Sequence, residues 1–121
     1  MKSLKDYITE KNWSLDIHQR NALSFAIGAM LGDIGEPDEI ELFTEFKNSL
    51  SENEVKQYRS IYDALTDEFA YKTANSKLFK TDIELLKKFS KWIEENDIAD
   101  KIQKGHRDWD LVNAYEKILY S

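Results

Sequence analysis

The sequence predicts an all-α fold: a compact single domain over residues 1–121, built from five to seven short helices in bundle-like or orthogonal packing. Three observations carry that expectation. Apolar residues recur at helical spacing along nearly the whole chain, and no stretch alternates with period two. One Pro and four Gly are too few for the tight turns of a sandwich or barrel. A chain of 121 residues, 41% hydrophobic and 12% aromatic, has the material for one core and not for two.

Each element has its own justification. Leu4, Tyr7 and Ile8 suit a short first helix, with Ser3 at its cap and Asp6 three residues on. A second helix opens near Ser14 or Asp16, where either side-chain oxygen suits an orphan backbone N–H. Leu23, Ile27, Met30 and Leu31 give it an apolar stripe, and Gly32 stops it. Gly28 inside that helix costs about 1 kcal/mol relative to Ala, which predicts a neighbouring helix packed closely against it. Residues 32–37 form the clearest break, and Pro37 suits the first turn of a third helix with Ile40, Phe43, Phe46 and Leu50 inward.

Ser51 and Glu54 make a capping box for a fourth helix, whose inward positions are Val55, Tyr58, Tyr62, Leu65 and Phe69. Residues 72–80 lack a period and read as the longest loop. Thr81 and Glu84 form a second box, opening a fifth helix with Leu86, Phe89 and Ile93 inward. Asn96 or Asp97 caps a short sixth helix ending at Gly105. Asp108 caps the last, with Leu111, Tyr115 and Ile118 inward. Trp13, Trp92 and Trp109 fall near helix ends, which predicts half-buried packing roles.

Several functional classes are excluded or disfavoured. The chain has no Cys, so disulfide scaffolds, thiolate nucleophiles, iron–sulfur clusters and zinc fingers are out. A net charge of −6 disfavours direct binding to nucleic acid or an anionic membrane. The longest uncharged stretch, residues 21–32, has 12 residues against the ~20 needed to span a bilayer. The first six residues carry charge with no apolar run behind them, so no signal peptide is expected and a cytoplasmic location is. Asn12-Trp13-Ser14 matches a glycosylation acceptor, a match without meaning in that compartment.

Chemical motifs fail on inspection. His106-Arg107-Asp108 spells the catalytic-loop tripeptide of protein kinases, but the chain has no glycine-rich loop and lacks the length for that fold. No Walker loop or dinucleotide fingerprint is present. An EF-hand started at Asp33 meets Gly35, Pro37, Asp38 and Thr44 where the third, fifth, sixth and twelfth positions need ligands or a turn glycine. His18 and His106 are far apart, and neither has a second His one turn away. Glu94-Glu95 and the pair Asp108 and Asp110 read as solvated faces in a chain with 33% charged residues. No catalytic residue, cofactor or metal ligand is therefore assigned.

One asymmetry stands out. Between Asp33 and Glu54 lie eight acids and one base, Lys47, a charge of −7; the other 99 residues carry +1. From Lys72 to Lys91 the balance reverses to +4. Some of these acids complement helix dipoles, and others are expected to pair with the lysine-rich segment. Concentrated like charge nonetheless repels itself, and an acidic face steers association with a basic partner. The candidate partner-binding residues are Asp33, Glu36, Asp38, Glu39, Glu41, Glu45 and Glu52, with Tyr58 and Tyr62 as candidate aromatic anchors.

These features favour a non-enzymatic acidic binding protein, an inhibitor or immunity-type protein of bacterial or phage origin. Its partner would be a basic protein, a toxin or nucleic-acid enzyme, whose groove attracts carboxylates as it attracts phosphates. In size, acidity and helical content the chain is similar to the small helical immunity proteins of nuclease bacteriocins. Their adjacent tyrosine pair is absent, since Tyr58 and Tyr62 stand four residues apart, so no residue roles are carried over and no family is assigned. The alternatives are a helical subunit or adaptor of a larger complex or homo-oligomer, and a small-ligand-binding or enzymatic helical domain. A helix-turn-helix fits less well, because the helix after residues 32–37 is acidic where a recognition helix should be basic.

Overall fold

The computed structural model describes residues 15–66, 80–102 and 107–120. The expected first helix, Trp13, Phe69, the loop over 72–79, Gly105 and His106 lie outside the described residues. Among those described there are seven helices and no strand: α1 Ile17–Leu31, α2 Pro37–Leu42, α3 Thr44–Asn48, α4 Glu52–Thr66, α5 Lys80–Glu95, α6 Ile98–Ile102 and α7 Arg107–Tyr120. They pack against one another as an all-α unit.

α1 is the centre of the arrangement. Asp16 caps it: its carboxylate accepts from the Gln19 backbone N–H at 2.8 Å, and the Gln19 side chain accepts from the Asp16 N–H at 3.1 Å. Gly32 ends it in the left-handed region (φ 81°), which a residue without Cβ adopts at little cost. Beyond the cap, the Lys47 ammonium donates to the Leu31 carbonyl at 3.0 Å, placing a cation at the negative end of the helix dipole. The expected single stripe is too modest a description. From Ala22 to Leu31 every residue except half-buried Phe25 is buried, because α7, α4, α2 and α3 all pack on this helix. Gly28 is where the packing is tightest. A Cβ there would lie 2.5 Å from Ile34 Cγ1 and 3.2 Å from Tyr62 Cε2, so the close neighbour is first the loop leaving α1 and only then α4.

The expected third helix is two. Phe43, at φ −100° and ψ −1°, separates α2 from α3, and Phe43 and Phe46 are both driven into the core. There they meet α4 and α5 in an aromatic cluster. Phe46 lies 5.0 Å from Phe89, 5.2 Å from Trp92 and 5.8 Å from Tyr58, ring centre to ring centre. Tilted and edge-on rings at these separations gain from their quadrupoles as well as from burial. Trp92 is half-buried, as expected of it. The predicted box at Ser51 forms: the Ser51 N–H donates to Glu54 Oε1 at 3.0 Å and the Glu54 N–H donates to Ser51 Oγ at 3.2 Å. On α4, Tyr58, Ile61 and Leu65 are buried, while Val55 and Tyr62 are half-buried against the core.

At two expected caps the backbone is already helical one residue earlier, at Lys80 and at Arg107, so α5 and α7 include Thr81 and Asp108. Asn96 serves the end of α5 instead, its side-chain amide donating to the Trp92 carbonyl at 2.9 Å. Asp97 follows at φ 52°, a conformation its short polar side chain tolerates, and its carbonyl accepts from Lys101 at the start of α6. Leu86, Phe89, Ile93, Leu111 and Ile118 are buried as expected, with Ala114 taking a place beside them and Tyr115 half-buried. No described helix is long and apolar enough to cross a membrane.

Candidate functional site

The acidic segment runs from the end of α1 to the start of α4. Its buried residues on α2 and α3, Glu39, Phe43 and Phe46, recur at helical spacing, and exposed Asp38, Glu41 and Glu45 follow the same rhythm on the opposite side. Burial of the phenylalanines therefore turns the carboxylates outward. Asp33, Glu36 and Glu52 are exposed as well.

The eight acids of this segment separate into three groups. Glu39 is only 3% exposed and accepts from the Glu36 backbone N–H at 3.1 Å, closing the start of α2. It belongs to the fold, and its place among accessible docking residues is corrected accordingly. Asp33 and Glu54 are engaged in ion pairs, Asp33 with Arg59 and Glu54 with Lys88 at 2.9 Å. Glu54 carries three bonds at once. The Ser51 backbone N–H first, and the Lys88 ammonium after it, hold its carboxyl below the usual glutamate range. The third group is Glu36, Asp38, Glu41, Glu45 and Glu52, whose carboxylates enter no ion pair among the described residues. The expected neutralisation by the lysine-rich segment is thus represented there by Lys88 on Glu54.

The two tyrosines do not belong to that surface. Tyr58 is fully buried and its hydroxyl donates to the Leu85 carbonyl at 2.6 Å. Loss of water around the phenol, and Glu54 nearby after it, push its pKa well above the ordinary value near 10. Tyr58 is a core residue that ties α4 to α5, so its expected role as an anchor is corrected. Tyr62 is half-buried and its ring fits beside Gly28. Both fall on the inward stripe because helical spacing places core and surface aromatics alike, and periodicity alone does not separate them.

A second feature was not legible in the sequence. Between α1 and α7 lies a cleft of about 210 Å³ lined by His18, Asn21, Ala22, Phe25 and Asp110. His18 is exposed and Asp110 half-buried. Trp109, one residue before Asp110, is 67% exposed, contrary to the half-buried packing expected of it. Among the described residues no group of three His, Asp or Glu side chains is arranged to hold a metal ion. No family model matches the chain, and no curated protein or solved structure does.

Proposed function

We propose that the protein is a non-enzymatic binding protein of the cytoplasm that docks a basic protein on the outer side of α2 and α3. One observation carries the reading: Glu36, Asp38, Glu41 and Glu45, on or just before helices anchored from the other side by Phe43 and Phe46, stand in solvent without an ion pair among the described residues, as does Glu52 at the start of α4. Exposed charge of one sign contributes little to stability, whereas it raises the rate and specificity of association with a surface of the opposite sign. Carboxylates presented in a row resemble a phosphate backbone to a basic groove. The partner is accordingly a toxin or nucleic-acid enzyme, and the protein acts on it as an inhibitor of immunity type, bacterial or phage in origin.

The rival readings have less support. A small-ligand or catalytic site calls for a cavity of roughly 300–1,000 Å³ with convergent polar groups, and the α1–α7 cleft is smaller. A subunit of a larger assembly calls for a broad apolar patch, and the exposed large apolar side chains are few.

The test is capture from host lysate at low and high salt by the wild-type chain and by the double variant Glu41→Lys, Glu45→Lys. A basic protein retained by wild type, weakened by salt and lost by the variant is the expected result. Equal retention by both proteins removes the acidic face from the interface. The variant's own stability should stay within about 0.5 kcal/mol of wild type in chemical denaturation, as for exposed helix positions generally.

A further inference from the structure

Large apolar side chains stand exposed at three described positions: Ile17 (51%), Trp109 (67%) and Tyr120 (69%). Tyr120 has a local task, its hydroxyl donating to the Glu94 carboxylate at 2.8 Å. The other two each stand one residue before a side chain that lines a cleft. Ile17 directly precedes His18 and Trp109 directly precedes Asp110, and His18 and Asp110 line the cleft between α1 and α7.

We propose that this cleft is a socket for a single arginine side chain of the basic protein partner, with Asp110 receiving the guanidinium. The proposal rests on the reading of the chain as a binder of basic proteins, and adds to it a second contact point and the residue type that fills it.

Size is the first argument. At about 210 Å³ the cleft lies below the roughly 300–1,000 Å³ of small-molecule and cofactor sites, which suits one side chain. Chemistry is the second. The Asp110 carboxylate accepts hydrogen bonds and donates none, and the Asn21 amide oxygen accepts. The Phe25 ring lines the same cleft. Acceptors beside an aromatic ring suit a planar, five-donor guanidinium, which pairs with carboxylate and stacks on rings; a lysine ammonium does only the first as well.

Position is the third argument. Phe25 faces the acidic segment as well as the cleft: a Cβ on Gly35 would lie 3.6 Å from its ring, and Glu36 is the next residue. One partner surface can therefore span the carboxylates of α2 and the socket without a gap in the chain between them.

The experiment uses the isotope-labelled full chain and three probes: N-acetyl-arginine methylamide, its lysine counterpart and its citrulline counterpart, a neutral molecule of nearly the same shape. Nuclear magnetic resonance shifts of Asn21, Phe25 and Asp110 are followed to saturation. Arginine should saturate them, and citrulline should bind about tenfold more weakly, the scale of a lost charge-assisted hydrogen bond. Asp110→Asn should abolish the difference between the two. Equal affinity for arginine and citrulline, or no saturable shift at these residues, overturns the socket, and that comparison needs no variant to fold. The Glu41→Lys, Glu45→Lys chain is titrated alongside. Arginine binding that survives while those substitutions leave partner capture intact sinks the acidic face and keeps the socket. Lost capture with no arginine binding does the reverse.

Discussion

α1 and the α2–α3 pair are neighbours in sequence and in space, yet they meet water in opposite ways. α1 is buried on nearly all sides beyond its first turn and carries no charge after Arg20. The α2–α3 pair buries Glu39, Phe43 and Phe46, half-buries Ile40, Leu42 and Lys47, and gives its other positions to solvent, where the carboxylates stand. A helix surrounded by other helices owes its place to packing, and every side chain on it is constrained by a neighbour. A helix pair fixed by a few anchors leaves its outer positions free for charge that the fold does not need. That freedom is what makes the acids of α2 and α3 informative about function, whereas the buried stretch of α1 from Ala26 to Leu31 is informative about stability.

The contrast can be broken first at α1. Ile27→Ala removes a fully buried side chain from the centre of the core and should cost about 2–5 kcal/mol in denaturant unfolding. A cost below 1 kcal/mol would mean that α1 is far less tightly held than its burial implies. A second comparison sets two buried hydroxyls against each other. Tyr58 has its acceptor in Leu85, so Tyr58→Phe should cost about 1 kcal/mol. Ser90 Oγ on α5 is buried with no hydrogen-bond partner, so Ser90→Ala should raise stability by up to about 1 kcal/mol, by removing an unsatisfied group from a helix interior.

Tyr58 also sets an alkaline limit. Its folded-state pKa lies above the ordinary value near 10, so the unfolded chain releases that proton first. The stability associated with it is fully present below pH 10 and is lost as the pH rises beyond it. Tyr58→Phe should flatten that loss when unfolding is followed from pH 9 upward. The smallest effect is expected at Glu54, whose carboxyl titrates below its ordinary value near 4.5. Its contribution is present above pH 4.5 and lost as the pH falls through the folded-state value. Glu54→Gln should therefore reduce the difference in stability between neutral and mildly acidic solution, with little change in the slope above pH 6.

Much of the fold could be read locally. The Asp16 cap, the Gly32 stop, Pro37 at the start of α2 and the Ser51 box each depend on residues within three or four positions of one another. So do most of the inward positions, because the α-helical repeat fixes which side chains share a face. Elsewhere the local signal is less exact. Thr81 and Asp108 have the chemistry of caps, yet α5 and α7 already include them, since such a signal fixes a helix start only to within a residue or two. The division of residues 37–48 at Phe43 follows from the need to seat Phe43 and Phe46 in the same cluster with Phe89 and Trp92, partners more than forty residues away.

The candidate site divides the same way. That the whole net charge of the chain comes from the segment from Asp33 to Glu54 is a property of the sequence. Which acids are available is not: Glu39 closes a helix start, Asp33 meets Arg59 from α4, and Glu54 meets Lys88 from α5. Tyr58 and Tyr62 share one stripe, and only the packing of α4 on α5 made Tyr58 a core residue. The cleft of His18, Phe25 and Asp110 had no signature in sequence at all, because its two sides come from helices about ninety residues apart. The sequence by itself determined an acidic all-α chain, the starts and stops of its best-capped helices and the location of its charge. The tertiary structure alone decided which charges face water and which distant side chains share a surface, because burial and proximity are set by helices packing across the chain and not by spacing along it.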